Sequence, residues 1–146
     1  MSIASTRTPT EIMITYLDEV GAKMRYHLID EIAHEDMADE ANQAFGGPQG
    51  RAGLVAHVKG FHKNIADRDA QVHQIIGDED KVMAHWSFTG RHTGPWLGRA
   101  PTGKMISANV FSFFALKDGL ISRYRLWICA EMDEVVIFDS ANPPRS

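Results

Sequence analysis

Two long stretches rich in β-branched and aromatic residues, Met105 to Leu116 and Leu120 to Cys129, are separated only by Lys117-Asp118-Gly119. Asp-Gly is the signature of a tight hairpin turn, whose central residues need backbone angles that few other residues tolerate. Two adjacent antiparallel strands follow. The same texture starts at Ala70: Val72 to Ile76 and Val82 to Thr89 read as strands, with Asp78-Glu79-Asp80 as the turn between them. The second half of the chain is therefore a sheet whose neighbouring strands pair antiparallel.

The first half has a different period. Thr8, Pro9 and Glu11 form a capping box with Pro at the first helical position, and Met13, Leu17, Val20, Met24 and Leu28 recur at helical spacing. A second helical stretch is expected from Ile29 to Asp39, ending before Gly46-Gly47-Pro48. Leu54, Val58, Phe61 and Ile65 give the apolar stripe of a third helix. Three helices thus precede the sheet.

A chain of 146 residues with 44% hydrophobic content can bury one core, so residues 8–139 read as a single domain and 140–146 as a polar, proline-rich frayed end. Fifteen basic side chains stand against 19 acidic ones, a formal charge of −4, without a basic run that would fit nucleic acid. The polar stretch from Met1 to Thr10 has no apolar segment, no run reaches membrane-spanning length, and the lone Cys129, beside Trp127 and Ile128, is expected to be a buried thiol. These features predict a cytoplasmic protein. His27, His34, His57, His62 and His73 have no metal-binding spacing, and there is no phosphate-cradling glycine loop, so neither a metal nor an organic cofactor is expected.

On the strand around Asn109 to Phe114 both faces carry apolar groups, one for the helices and the other for a pocket or a subunit contact, so a homodimer or higher homo-oligomer is expected. His85, with Met83, Ser87 and Thr89, alternates against Val82, Ala84, Trp86 and Phe88, and the alternation leaves open which set faces inward. Arg123 and Arg125 lie opposite Tyr124 and Leu126, where salt bridges are the ordinary explanation.

The segment from Gly90 to Gly98, containing His92, Gly94 and Trp96, with Pro101-Thr102-Gly103-Lys104 after it, resembles the GxHxGxxxG and PPTG loop of SnoaL-like polyketide cyclases, within the nuclear transport factor 2-like superfamily. Ile65-Ala66-Asp67, Asp80-Lys81-Val82 and Asp118-Gly119-Leu120-Ile121 match further family corners in order, so the resemblance spans roughly residues 10 to 130. It implies an α+β cone: three N-terminal helices packed on a curved antiparallel sheet, enclosing a pocket for a polycyclic or terpenoid-like molecule.

The resemblance also implies an activity. Cyclases of this family use a His and an Asp on neighbouring strands as acid and base, and this chain has Ser112 and Leu126 at those positions. Leu126 cannot exchange a proton, and Ser112 needs an activating partner. The expected function is a cofactor-independent tailoring enzyme of polyketide-type biosynthesis, a cyclase or a cyclase-derived isomerase or hydroxylase. An epoxide-opening enzyme and a non-catalytic ligand-binding domain are the alternatives. Asp39, in Asp36-Met37-Ala38-Asp39-Glu40, matches the polar position at the family's cavity mouth, and Asp39, Tyr124 and His92 are the candidate catalytic residues. Glu40, Trp86, Phe88, Trp96, Val110, Ser112 and Leu126 are the candidate substrate-binding residues.

Overall fold

The computed structural model describes residues 7–142. Thr8 caps the first helix as its sequence predicts: its Oγ1 accepts from Glu11 N at 3.1 Å, and Glu11 Oε1 accepts from Thr8 N at 3.0 Å. This helix, α1 (Pro9–Ile14), widens into a π-helical segment, Thr15–Ala22, followed by a 3₁₀ turn, Tyr26–Leu28, and the single turn α2 (Ile29–Ile32). Strand β1 (Ala33–Asp39) leads into a short helix α3 (Glu40–Ala44) and the long helix α4 (Gly50–Asn64). Four long strands follow, β2 (Ile65–Gly77), β3 (Lys81–His92), β4 (Met105–Lys117) and β5 (Leu120–Glu131), and a fifth, β6 (Val135–Asp139), closes the fold.

The sheet is six-stranded and curved, in the order β1-β5-β4-β3-β2, with β6 also on β5. Asp118 and Gly119 take φ of 52° and 78°, the left-handed pair that the Asp-Gly hairpin requires. Register shifts in β2, β5 and β1 add local twist to the sheet. The helices cover the face carrying Val82, Ala84, Phe88, Val110, Phe114 and Tyr124, and this face is the core. No helix among the described residues is long and apolar enough to cross a membrane.

Four expectations need correction. Only Ile29–Ile32 of the second helical stretch is helical; Ala33–Asp39 is a strand paired parallel to β5, with Ala33 opposite Ile121 and Asp39 opposite Tyr124. A free edge of β5 offers this segment a ladder that its weak helical pattern cannot match. Ile65, read as the last residue of the third helical stripe, opens β2 instead. Cys129 is exposed, because it alternates with Ile128 and Ala130, which take the inward positions. Finally, Ser140 is buried rather than frayed: its N–H donates to Leu126 O at 3.0 Å and its Oγ accepts from Leu126 N at 3.0 Å. Of the expected terminal segments, residues 1–6 and 143–146 lie outside the described residues.

One contact fastening α4 to the N-terminal helical segments is sensitive to pH. His62 on α4 donates from Nε2 to Gly21 O at 2.7 Å, in the π-helical segment, and its Nδ1 accepts from the Tyr26 hydroxyl at 2.5 Å. Burial, helped by the charge of Arg68, pushes the His62 imidazole below its ordinary value against the pull of the Gly21 carbonyl. Because the folded state binds this proton more weakly than the unfolded one, the contribution of His62 is complete above about pH 6.5 and is lost as the pH falls. The thermal midpoint of the wild type should drop more steeply between pH 7.5 and 5 than that of His62→Asn; parallel curves would show that His62 is not the titrating group.

Candidate active site

The parallel register of β1 on β5 puts Asp39 beside Tyr124, at the point where β1 ends and α3 begins. Asp39 is fully buried, and its carboxylate is used on both sides. Oδ1 accepts from Ala41 N and Asn42 N, each at 3.1 Å, as a helix N-cap does, while Oδ2 lies 2.6 Å from Nδ1 of His57 on α4. The Gln49 side chain holds the Asp39 backbone from both directions, accepting from Asp39 N and donating to Asp39 O, both at 2.9 Å. A carboxylate only accepts, so Nδ1 is the donor of this pair, and in the neutral imidazole the lone pair is then on Nε2.

The His57 ring stacks on Tyr124, with centroids 5.6 Å apart and planes 9° apart. Tyr124 lies beneath it at 2% exposure, whereas 21% of the His57 side chain reaches solvent. The Tyr124 hydroxyl is 3.0 Å from Ser112 Oγ, which also accepts from Trp86 Nε1 at 3.0 Å. Tyr16, in the π-helical segment, hydrogen-bonds Tyr124 and packs edge-on against it at 5.5 Å. Burial pushes the Tyr124 phenol far up, against the hydrogen bonds of Ser112 and Tyr16; burial also raises that of Tyr16, with Tyr124 and Asp39 adding to it. Both phenols therefore stay protonated at neutral pH and act as hydrogen-bond donors. Oriented carboxylate, imidazole and neutral phenols form a set capable of general acid-base chemistry.

Of the residues singled out in the sequence, Asp39, Tyr124, Ser112 and Trp86 come together here. Val110 and Leu126 share their face of the sheet, both buried. Phe88 and Trp96 extend it as an aromatic wall with Phe61: Phe61 packs on Phe88 at 4.9 Å, and Phe88 on Trp96 at 5.5 Å. His92 is on the same face but six residues beyond Trp86, about 20 Å along the strand. There its backbone bonds Lys104 O and Gly103 N at 2.9 and 2.8 Å, so it anchors the loop, while Nε2 is buried without a partner. Glu40 points to the other side of the sheet, where Arg123 and Arg125 take its carboxylate. Clefts of about 510 and 410 Å³ open away from this cluster, one on the outer sheet face beside His73 and Asn109, the other beside Glu40 and Arg125.

His57 and Tyr16 were not singled out by sequence, although the signal was present. His57 lies three residues after Leu54 and four before Phe61, on the apolar face of α4, and Tyr16 lies three after Met13 on that of the first helix. A polar residue on a core-facing stripe must find a partner, and spacing alone does not say which strand supplies it.

The SnoaL-like polyketide cyclase family model matches residues 11–129. The chain belongs to this family. No curated protein matches the sequence. Among solved structures, this SnoaL-like chain is similar to TsrD from Streptomyces laurentii, with 21% identity, 90% of this chain and 91% of that one covered, and a TM-score of 0.69. It is also similar to a SnoaL-like polyketide cyclase from Agrobacterium tumefaciens, with 15% identity, coverage of 88% and 94%, and a TM-score of 0.68. At such identities the likeness establishes the fold, and the chemistry has to be argued from the site.

Proposed function

We propose that this protein is a small-molecule tailoring enzyme of polyketide-type biosynthesis that moves a proton at carbon next to a carbonyl, without metal or organic cofactor. His57 is the base: Nε2 takes the proton, Asp39 holds the ring by Nδ1, and the electron pair left on carbon delocalises onto the carbonyl oxygen. Tyr124, backed by Tyr16, Ser112 and Trp86, donates a hydrogen bond to that oxygen. Returning the proton from His57 to another carbon gives isomerisation. If the enolate carbon instead attacks a second carbonyl, the same proton neutralises the new alkoxide and a ring closes. Membership of a cyclase family and the aromatic wall of Phe61, Trp86, Phe88 and Trp96 support a ring-bearing substrate. The exposed apolar residues Ile76, Met83 and Phe111 on the outer sheet face support association with a second copy.

The observation that carries this reading is the Asp39–His57 pair, 2.6 Å apart and stacked over a buried phenol. Epoxide opening has less support, because both oxygens of Asp39 are already engaged. Deuterium uptake from D₂O at the activated methylene of an aromatic β-polyketone, followed by mass spectrometry, tests proton abstraction without knowledge of the final product. His57→Gln and Tyr124→Phe should each slow uptake, by roughly 10²–10⁴-fold for the base. An unchanged rate in both variants would remove the assignment. A polyketone that raises the thermal midpoint but exchanges no deuterium would favour a ligand-binding domain.

A further inference from the structure

Asp39 and Glu40 are consecutive, yet they face opposite sides of the sheet, and so do Tyr124 and its neighbours Arg123 and Arg125. Inside, Asp39 meets His57 over Tyr124. Outside, Glu40 Oε1 accepts from Arg125 Nε at 2.8 Å, and Glu40 Oε2 accepts from Arg125 Nη2 at 3.0 Å and from Arg123 Nη1 at 2.8 Å. Ser140 adds a fourth bond, from Oγ to Glu40 Oε1 at 3.3 Å, while accepting from Leu126 N. Glu40 itself is only 6% exposed.

The pairing that this cluster spans is short and irregular. Between Ala33 opposite Ile121 and Ala38 opposite Arg123, the register of β1 on β5 shifts, so the ladder that sets Asp39 beside Tyr124 rests on the Ala38 and Asp39 pairs at its end. We infer that Glu40, gripped by Arg123, Arg125 and Ser140, is a positioning residue that sets the register of Asp39 against Tyr124 and so aligns the Asp39–His57 pair.

The arrangement has the right mechanical form. A bidentate arginine–carboxylate pair fixes direction as well as distance. Its two partners flank Tyr124 in sequence, and the carboxylate directly follows Asp39, so a slip of β1 on β5 would have to break the outer cluster and the inner pair together. Ser140 comes after β6, beyond the residues that match the family, so this chain adds to the clamp from its own C-terminal segment. The arginine hydrogen bonds, above all that of Arg125, hold the Glu40 carboxyl below its ordinary value despite burial, so the clamp stays charged across the neutral range. The hydrogen bonds of the Glu40 carboxylate go to Arg123, Arg125 and Ser140, not to His57 or Tyr124, which separates positioning from direct participation.

This inference rests on the proposed role of the Asp39–His57 pair, and its test reads geometry apart from turnover. Nitrogen chemical shifts of the His57 ring in ¹⁵N-labelled protein report which nitrogen carries the proton. In the wild type, Nδ1–H should dominate, because Asp39 accepts from it. In Glu40→Gln, which keeps the side-chain size, and in Arg125→Gln, which breaks the clamp from β5, the population should move toward Nε2–H. The kcat for deuterium uptake should fall roughly 10- to 100-fold with KM within about twofold, as misplacement of a catalytic group on the ångström scale predicts. Arg99→Gln, which removes the exposed pair with Glu134, serves as the control and should change neither reading. Arg125→Lys, which keeps one charged contact, should restore part of both. Unchanged His57 shifts in folded Glu40→Gln and Arg125→Gln would overturn the inference, as would a loss of kcat without a change of tautomer. A tautomer change in a protein that exchanges no deuterium would leave the clamp standing and remove the proposed reaction.

Discussion

Asp39→Asn is expected to fold with nearly wild-type stability and to lose most of its activity, roughly 10³–10⁴-fold in kcat for proton exchange. The two halves of this expectation come from the two oxygens of one carboxylate. Asn is as good an N-cap as Asp, so its amide oxygen can still accept from Ala41 N and Asn42 N, and α3 keeps its start. The other position becomes an NH₂ group. It can only donate toward His57, and a donor at 2.6 Å reverses the tautomer: Nδ1 must accept, the proton moves to Nε2, and the base has no lone pair to offer. In the serine hydrolase triad the same exchange leaves the geometry intact and costs about 10⁴-fold in kcat, the physical precedent for the size of the effect.

Asp39→Ala provides the comparison. It removes the cap as well as the hydrogen bond to His57, so it should lose activity and also about 1 kcal/mol of stability. Thermal midpoints and deuterium uptake for both variants separate the roles. A folded Asp39→Asn with at least a tenth of wild-type activity would show that the tautomer of His57 does not govern the rate.

The fold was readable from the sequence wherever local chemistry decides the structure. Thr8 with Glu11, the Asp118-Gly119 turn and the alternation along β3 and β4 each specify their conformation within a few residues, and each is found as expected. Reading failed where a partner far along the chain decides. Ala33–Asp39 has no strong strand pattern, and it is extended because β5 has an open edge almost 90 residues later. Val135–Asp139 is short, and it too pairs with β5. The candidate site divides in the same way. Asp39 and Ser112 follow from motif position and Tyr124 from strand alternation with Leu126, while the alternation around Trp86 leaves its face open. His57 has no metal-ligand spacing and no family motif to mark it, and its partner is set by the packing of α4 on β1.

That packing sets the second large effect. Gly50→Ala should destabilise the protein by about 2–5 kcal/mol and misalign the catalytic pair as well. Gly50 opens α4 with φ of +75°, and a Cβ there would stand 2.5 Å from the backbone carbonyl oxygen of Glu35 in β1. The left-handed conformation costs a residue with a side chain about 1–2 kcal/mol, and forcing a methyl group against backbone that cannot turn aside adds about 1–3 kcal/mol. The clash lies where α4 is fastened to β1: Gln49 brackets the Asp39 backbone, and Arg51 Nε donates to Ala33 O at 2.8 Å. Relief by moving α4 away from β1 would draw His57 from Asp39, whereas relief by turning the Glu35 peptide would disturb the ladder that places Asp39 beside Tyr124. Either route should lower the midpoint by on the order of 10 °C in a domain of this size and shift the His57 tautomer toward Nε2–H. Gly60→Ala, on the same helix with nothing within 4 Å of its added Cβ, should be neutral or slightly stabilising. A Gly50→Ala protein that melts with the wild type would mean that α4 is not seated on β1 through this contact.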